Sequence, residues 1–393
     1  MISTQRLYQI NSSRILQHIK MNPGKSRISI AADLDLNRST ITKVVRHFLS
    51  HDIVRVTGKR HDTPGAGRMA IGLKINPSFA YVLGIEAQTE FFRTVLVDLE
   101  GQVFRSDKFD YSFSGESLEQ QLVKIIVSEQ RLAAGEGRSL AGVGIGFPGI
   151  VDPYTGVIIN SSPLRVKNFS MKSELEKHCD IPVLIENDAN CCCWSEMAFG
   201  GGVRARNFIS LLGEFRSNDV DTDRKNGFSF GIGIVIRDEV LHGDNFTAGE
   251  FQSLSCNNSS PRCTQFSFSI DELVTLPQNT ELLREVFTEI AHNISLIINT
   301  FDITKVVITG DIASYPELLT PLITNEVQLN WLYKEPKPCV VEYSPDGENA
   351  VCRGAAGLFI NKLFSVPGMT DHVDEEVGSI LLGRILPLCA KPQ

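Results

Sequence analysis

Residues 36–49 read Leu-Asn-Arg-Ser-Thr-Ile-Thr-Lys-Val-Val-Arg-His-Phe-Leu. Ile41, Val44, Val45, Phe48 and Leu49 recur at the three-to-four-residue spacing of one helical face. Asn37 stands where a helix N-cap is wanted. The other face carries Arg38, Ser39, Thr40, Thr42, Lys43 and Arg46. A helix fits the major groove, and polar and cationic side chains on its outer face can reach base edges and phosphates. N-terminal to it, Ile15, Leu16 and Ile19 predict a helix over 13–22, Asn22-Pro23-Gly24 breaks the chain, and Ile28, Ile30, Ala31 and Leu34 predict a second helix. C-terminal to it, two extended runs, 53–57 and 69–75, flank the Gly-rich basic stretch GKRHDTPGAGR at 58–68. Three helices and a basic hairpin make a winged helix-turn-helix, whose wing offers Lys59, Arg60 and Arg68 to phosphates or the minor groove. A three-helix protein-interaction module shares the apolar spacing but does not need that cationic face.

Charge supports the DNA reading. Residues 1–80 hold 13 Lys and Arg against 4 Asp and Glu, a net of +9; the other residues hold 25 against 42, a net of −17. A basic head on an acidic body predicts a nucleic-acid module joined to a domain that avoids nucleic acid; a merely solvated basic face is the plain alternative. No stretch has the length and apolarity of a membrane helix or a secretory leader. With nine cysteines, an odd number, a disulfide framework is not expected and a cytoplasmic location is.

From Tyr81 the texture changes to α/β. YVLGIEA (81–87) and FFRTVLVDLEG (91–101) read as paired strands, a helix follows at about 116–134, and further strands are VLIEND, NFISLL, FGIGIVI and KVVITG. Helices are expected near 190–198, near 281–298 and in GAAGLFINKLF.

These runs carry a resemblance. GVGIGFPGIVD (142–152), IENDAN (185–190), FGIGIVIRDEVLHGDNFTAGE (230–250), VVITGDI (306–312) and RGAAG (353–357), behind the 36–49 helix and the wing GAGR, resemble the ROK family of repressors, open reading frames and kinases over roughly residues 10–360. The resemblance implies an α/β, actin-like or hexokinase-like two-lobed ATPase fold preceded by the winged helix-turn-helix, with sugar and nucleotide between the lobes. The expected division is a head at 1–76, a first lobe at 77–190 and a second lobe at 191–393, the C-terminal helix returning to the first lobe.

Family kinases open this domain with D-x-G-x-T, where glycine lets phosphate approach the backbone. The matching run here is Glu86-Ala87-Gln88-Thr89-Glu90. The second phosphate loop, G-T-G-I-G in the family, reads Ser229-Phe230-Gly231-Ile232-Gly233, and the later Gly-Gly reads Gly310-Asp311. Added bulk and added carboxylates oppose a polyphosphate, so neither ATP nor kinase activity is expected. Asp188 falls at the family's catalytic base, a group that takes the proton of the attacking sugar hydroxyl. Without a phosphate site, Asn187, Asp188 and Glu250 are expected to hold the hydroxyls of an effector; the plain alternative for Asp188 is a helix cap.

The family's zinc ligands, one His and three Cys, are reduced here to Cys263 in register and Cys256 out of register, with Ser253 at the His position, so zinc is not expected. Cys191, Cys192 and Cys193 read either as small buried hydrophobes or as thiols sensitised by a helix N-terminus. Together the expectation is a regulator, by resemblance a repressor, of carbohydrate genes. It binds operator DNA as a homodimer or homotetramer and senses a sugar or sugar derivative. The rivals are an active sugar kinase carrying a DNA-binding head, and a regulator with a vestigial pocket that answers a partner protein, which the altered loop SSPLRVKNF (161–169) keeps in view.

Overall fold

The computed structural model describes residues 4–60, 70–110, 116–202, 205–216, 227–256 and 264–366. The head comprises α1 (Thr4–Met21), α2 (Arg27–Asp33), α3 (Arg38–Ser50) and the antiparallel pair β1 (Val54–Arg60) and β2 (Ala70–Ile75). Ile15, Ile19, Ile30, Ile41, Val44, Val45, Phe48, Ile53 and Leu73 form its core, all 1% exposed or less. The first helix begins well before residue 13, where its early turns set Tyr8 against the core, which the spacing of Ile15, Leu16 and Ile19 does not announce. Ser26 caps α2 through its hydroxyl, whereas Asn37 occupies the N-cap of α3 without a side-chain cap bond.

The first lobe follows through β3 (Tyr81–Ala87), β4 (Phe91–Asp98), β5 (Val103–Asp110), α4 (Leu118–Gly135), β6 (Leu140–Phe147), β7 (Ile150–Asp152), β8 (Val157–Ser161), β9 (Val166–Phe169), α5 (Met171–Glu176) and β10 (Val183–Asn187). Its main sheet has the order β10-β6-β3-β4-β5, and β7, β8 and β9 form a small separate sheet. The strands β3 and β6 are buried along their whole length, as central strands covered on both faces must be. Helix α6 (Asp188–Phe199) then leads into the second lobe: β11 (Phe208–Phe215), β12 (Phe228–Ile236), β13 (Glu239–Val240), α7 (Ile270–Leu273), α8 (Thr280–Thr300), β14 (Lys305–Gly310), α9 (Pro316–Leu329), β15 (Val340–Tyr343) and α10 (Ala350–Leu363). Its sheet has the order β13-β12-β11-β14-β15. Each lobe thus repeats one plan: an antiparallel hairpin continued by parallel strands.

Helix α6 runs through residue 190, where the lobes were expected to divide, and packs along α10, which also lies on β3 and β6. These two helices join the lobes. The head is docked rather than tethered. One continuous apolar cluster runs from Ile15 and Ile19 through Ala80, Val97 and Leu99 to Phe359 and Phe364. Lys20, at the end of α1, lies 4.4 Å from the centre of the Phe364 ring, and burial lowers its pKa to about 7.

Candidate functional site

Helix α3 sorts its residues as an amphipathic helix must. Ile41, Val44, Val45 and Phe48 face the core, while Arg38, Ser39, Lys43 and Arg46 are exposed and Thr40 and Thr42 half-exposed. The Thr42 hydroxyl donates to the Arg38 carbonyl at 2.8 Å, which leaves its oxygen lone pairs for an outside donor. Lys43 Nζ lies 5.7 Å from the centre of the Tyr8 ring. Lys59 and Arg60 fall in β1 by backbone register, and Arg68 lies outside the described residues.

The second candidate site is the junction between the lobes. Strand β10 ends at Asn187, whose Oδ1 accepts from Asn190 N at 3.0 Å and so caps α6. The cap is therefore Asn187, and Asp188 opens the helix. The Asn187 amide also donates to the Gly149 carbonyl at 3.0 Å and to Asp188 Oδ1 at 3.1 Å. Both ends of that amide are engaged within the protein, and the bond to Oδ1 braces Asp188. Asp188 Oδ1 also accepts from Ala189 N at 2.8 Å. These bonds all fall on Oδ1, and among the described residues none falls on Oδ2. Burial, then the nearby Glu214 carboxylate, pushes the Asp188 pKa up to about 7, against the pull of the Ala189 amide and Arg216.

Glu250 arrives from the other lobe. Gly249 turns the chain at φ +90 in contact with β12, where an added Cβ would sit 1.9 Å from the Ile232 carbonyl oxygen. Only glycine makes that turn, and it sets Glu250 within electrostatic range of Asp188. Desolvation raises the Glu250 pKa although solvent reaches the side chain. The approach of α6 to β12 rests on Gly233, where a Cβ would meet Cys193 Sγ at 2.4 Å and the Ala189 carbonyl at 2.6 Å. This glycine of the second phosphate loop serves helix packing.

Three aromatic side chains beside the junction were missed in the sequence. Tyr154, in the turn between β7 and β8, meets His242 at 5.6 Å and Phe246 at 6.0 Å between ring centres. His242 Nε2 also bonds Glu186 Oε2 at 2.9 Å, carrying the second lobe onto the first. Burial alone would raise the Glu186 pKa, but His242 and bonds from the Asn187 backbone N–H and the Asn190 side chain bring it below the usual range. The only signal in the sequence was a His-Gly pair in the loop before TAGE, which spacing alone cannot link to Glu186.

The phosphate-loop positions do not fit a polyphosphate. Phe230 is buried among Phe228, Phe251 and Phe266. Asp311 accepts from Phe215 N at 2.8 Å, and Gln88 is buried and bonded to Glu86 and Arg216. The positions matching the family's zinc ligands do not fit zinc either. Ser253 accepts from Asn293, and Gln265 clamps Phe230 and Phe251 through their backbone. Cys256 bonds Gln252 and the Thr264 carbonyl, and Cys263 lies outside the described residues. Cys191, Cys192 and Cys193 are all buried, and burial raises their thiol pKa values, against what a sensor thiol needs.

The family model described as the ROK family matches residues 82–264 and 269–362. The chain belongs to the ROK family. A solved ROK family transcriptional regulator, a homolog of the E. coli MLC protein, superposes with a TM-score of 0.74 at 20% identity, covering 97% of this chain and 100% of that one. A ROK glucokinase from Streptomyces griseus, solved with glucose and AMPPNP, matches with a TM-score of 0.54 at 19% identity over 71% of this chain and 99% of its own. These likenesses establish the actin-like fold behind a winged head. The xylose repressor of Caldicellulosiruptor bescii is 24% identical over 260 residues, 66% of this chain and 61% of that protein. The match thus spans about three fifths of that repressor's length. Among the described residues no helix is long and apolar enough to cross a membrane.

Proposed function

We propose that this ROK protein is a sugar-responsive transcriptional repressor of the cytoplasm whose kinase-like body binds an effector without phosphorylating it. The observation that carries the reading is the exposed Arg38, Ser39, Lys43 and Arg46 face of a helix whose head shares one apolar cluster with the body. Arg38, Ser39, Thr40, Thr42, Lys43 and Arg46 contact bases or phosphates, and Lys59, Arg60 and Arg68 contact the backbone from the wing. A homodimer or homotetramer presents two heads to an inverted repeat. Asp188 and Glu250, braced by Asn187, accept hydrogen bonds from sugar hydroxyls, and charged acceptors make the stronger bonds. A ligand held by both lobes favours the arrangement it binds better, and a docked head moves with that arrangement.

The family resemblance to xylose repressors makes D-xylose the first probe, followed by D-glucose. The test is operator selection from random DNA, then binding against salt with and without each sugar. Arg46→Ala flattens the slope of log K against log salt by about one unit if it neutralises a phosphate. Binding no tighter to selected than to random DNA, at any salt, overturns the repressor reading. Sugar-dependent ADP release that vanishes in Asp188→Asn replaces it with the kinase reading.

A further inference from the structure

Gln88 reads in the sequence as a lost glycine; in the structure it is one end of a bridge. Arg216 follows β11 of the second lobe. Its Nη2 donates to Gln88 Oε1 in the first lobe at 2.9 Å, its Nε donates to Ser229 Oγ on β12 at 3.2 Å, and it pairs with Glu214. Gln88 Nε2 donates in turn to Glu86 Oε1 at 3.2 Å. Glu86 pairs with Arg93 at 3.0 Å, and Arg93 reaches the turn before α10, donating to the Glu348 carbonyl at 2.6 Å and pairing with its carboxylate at 2.7 Å. The chain of bonds is unbroken from β12 to the turn before α10. It lies mostly out of water: Gln88 is 1% exposed, Glu86 0% and Arg93 8%.

Each link explains a departure from the kinase pattern. Glycine at 88 has no side chain to accept from the guanidinium, and threonine at 230 would open the packing of Phe230 on Phe228, Phe251 and Phe266. Only a guanidinium suits the central place, because its N–H groups diverge in a fixed plane and satisfy Gln88, Ser229 and Glu214 together. In low dielectric the loss of that one cation leaves Glu214 uncompensated. Separating the lobes must break the Arg216–Gln88 bond, which disfavours separation.

We infer that Arg216 is a positioning residue for the effector site: from the second lobe it grips Gln88 of the first and holds the lobes at the spacing where Asp188 and Glu250 meet one ligand. This rests on the effector reading above. In this protein an internal cation does at the phosphate loops what a bound nucleotide does in a kinase, drawing the lobes together. Effector binding then needs no nucleotide.

The experiment compares full-length wild type with Arg216→Met, Arg216→Lys and Gln88→Leu. Hydrogen exchange is read without ligand, and D-xylose and D-glucose affinity by calorimetry. Arg216→Met speeds exchange severalfold at 86–92 and 228–232, leaves 36–49 unchanged and weakens the sugar that binds at least tenfold. Arg216→Lys recovers part of both effects, since it keeps the charge and loses the fork; Gln88→Leu reproduces the methionine variant. Exchange and affinity equal to wild type in Arg216→Met overturn the inference. If that variant loosens throughout or fails to fold, Gln88→Leu decides: wild-type behaviour there overturns the inference equally. If neither sugar binds wild type, the effector reading fails for these sugars, and the exchange arm alone judges the bridge.

Discussion

The two sides of the interlobe junction began, by family resemblance, as parts of one active site, and here they have opposite fates. On the side matching the family's sugar site, Asp188 keeps an oxygen beyond its internal bonds, and the Gly249 turn sets Glu250 within electrostatic range of it. On the phosphate side the polar atoms are spent on one another: Gln88 on Arg216 and Glu86, Asp311 on the Phe215 amide, Arg93 on Glu86 and Glu348. A site can lose a ligand without leaving a hole when the new side chains satisfy one another, because buried polar groups cost little once paired.

The largest expected effect separates packing glycines from phosphate glycines. Gly233→Ala forces a methyl against the Ala189 carbonyl and Cys193, and backbone cannot step aside as a side chain can. Overpacking of this kind costs about 3 kcal/mol. Thermal unfolding of the variant should fall by several degrees with no nucleotide present. An unchanged Tm would return Gly233 to a vacant phosphate site and undo the contrast between the two sides.

Next in size is the sugar side. Asp188→Ala removes a buried acceptor and leaves ligand hydroxyls unpaired, a loss of about 2 kcal/mol or roughly 30-fold in affinity. Calorimetry with the sugar that binds wild type checks it. Equal affinity in Asp188→Ala and in Glu250→Ala would move the effector elsewhere and make both sides of the junction scaffold.

The pH dependence sharpens the same point. Burial and Glu214 place the Asp188 pKa near 7, above an unfolded value near 4, with Arg216 opposing and Glu250 adding to the rise. The folded state therefore binds an extra proton between these values, and this group's contribution to stability declines as pH rises through that window. Sugar binding runs the other way. If the carboxylate is the form that accepts hydroxyls, affinity climbs about tenfold per unit up to pH 7 and then levels. Asp188→Asn should show a flat profile over pH 5–7; a slope as steep as wild type would assign the titration to Glu250.

How far the sequence discloses this depends on the range of the interactions. The apolar spacing of Ile41, Val44, Val45 and Phe48 is local, and it set which residues of that helix are exposed without knowledge of the body. The strands YVLGIEA and KVVITG were legible from equally local evidence, as runs buried along all or nearly all their length. The bridge was not: Arg216 and Gln88 are 128 positions apart, and only the folded lobes bring them together. His242 and Glu186 were hidden in the same way, 56 positions apart. Residue-by-residue comparison with the kinases registered Gln88 and Phe230 as losses, because a substitution names what is missing and not what the new side chain touches.

The smallest expected effect is a near-absence, and it tests the phosphate side directly. A ligand that binds only the folded state raises stability by RT ln(1 + [L]/Kd). With ATP at 1 mM, a kinase-grade Kd of about 0.1 mM would add about 1.4 kcal/mol, a clear rise in Tm. Here phosphate must displace the Arg216–Gln88 bond, enter beside Glu214 and Asp311, and find Phe230 where a hydroxyl once donated. Burial and Glu214 also lift the Asp311 pKa, so these carboxylates already repel one another before a polyphosphate arrives. A Kd above about 10 mM follows, worth less than about 0.1 kcal/mol at 1 mM ATP, within the scatter of a melting curve. Magnesium should not change this, since the acidic groups are committed to internal donors. A sugar that shifts Tm while ATP does not, in one sample, would show the two sides behaving independently; an ATP shift comparable to the sugar's would show that the phosphate side still opens.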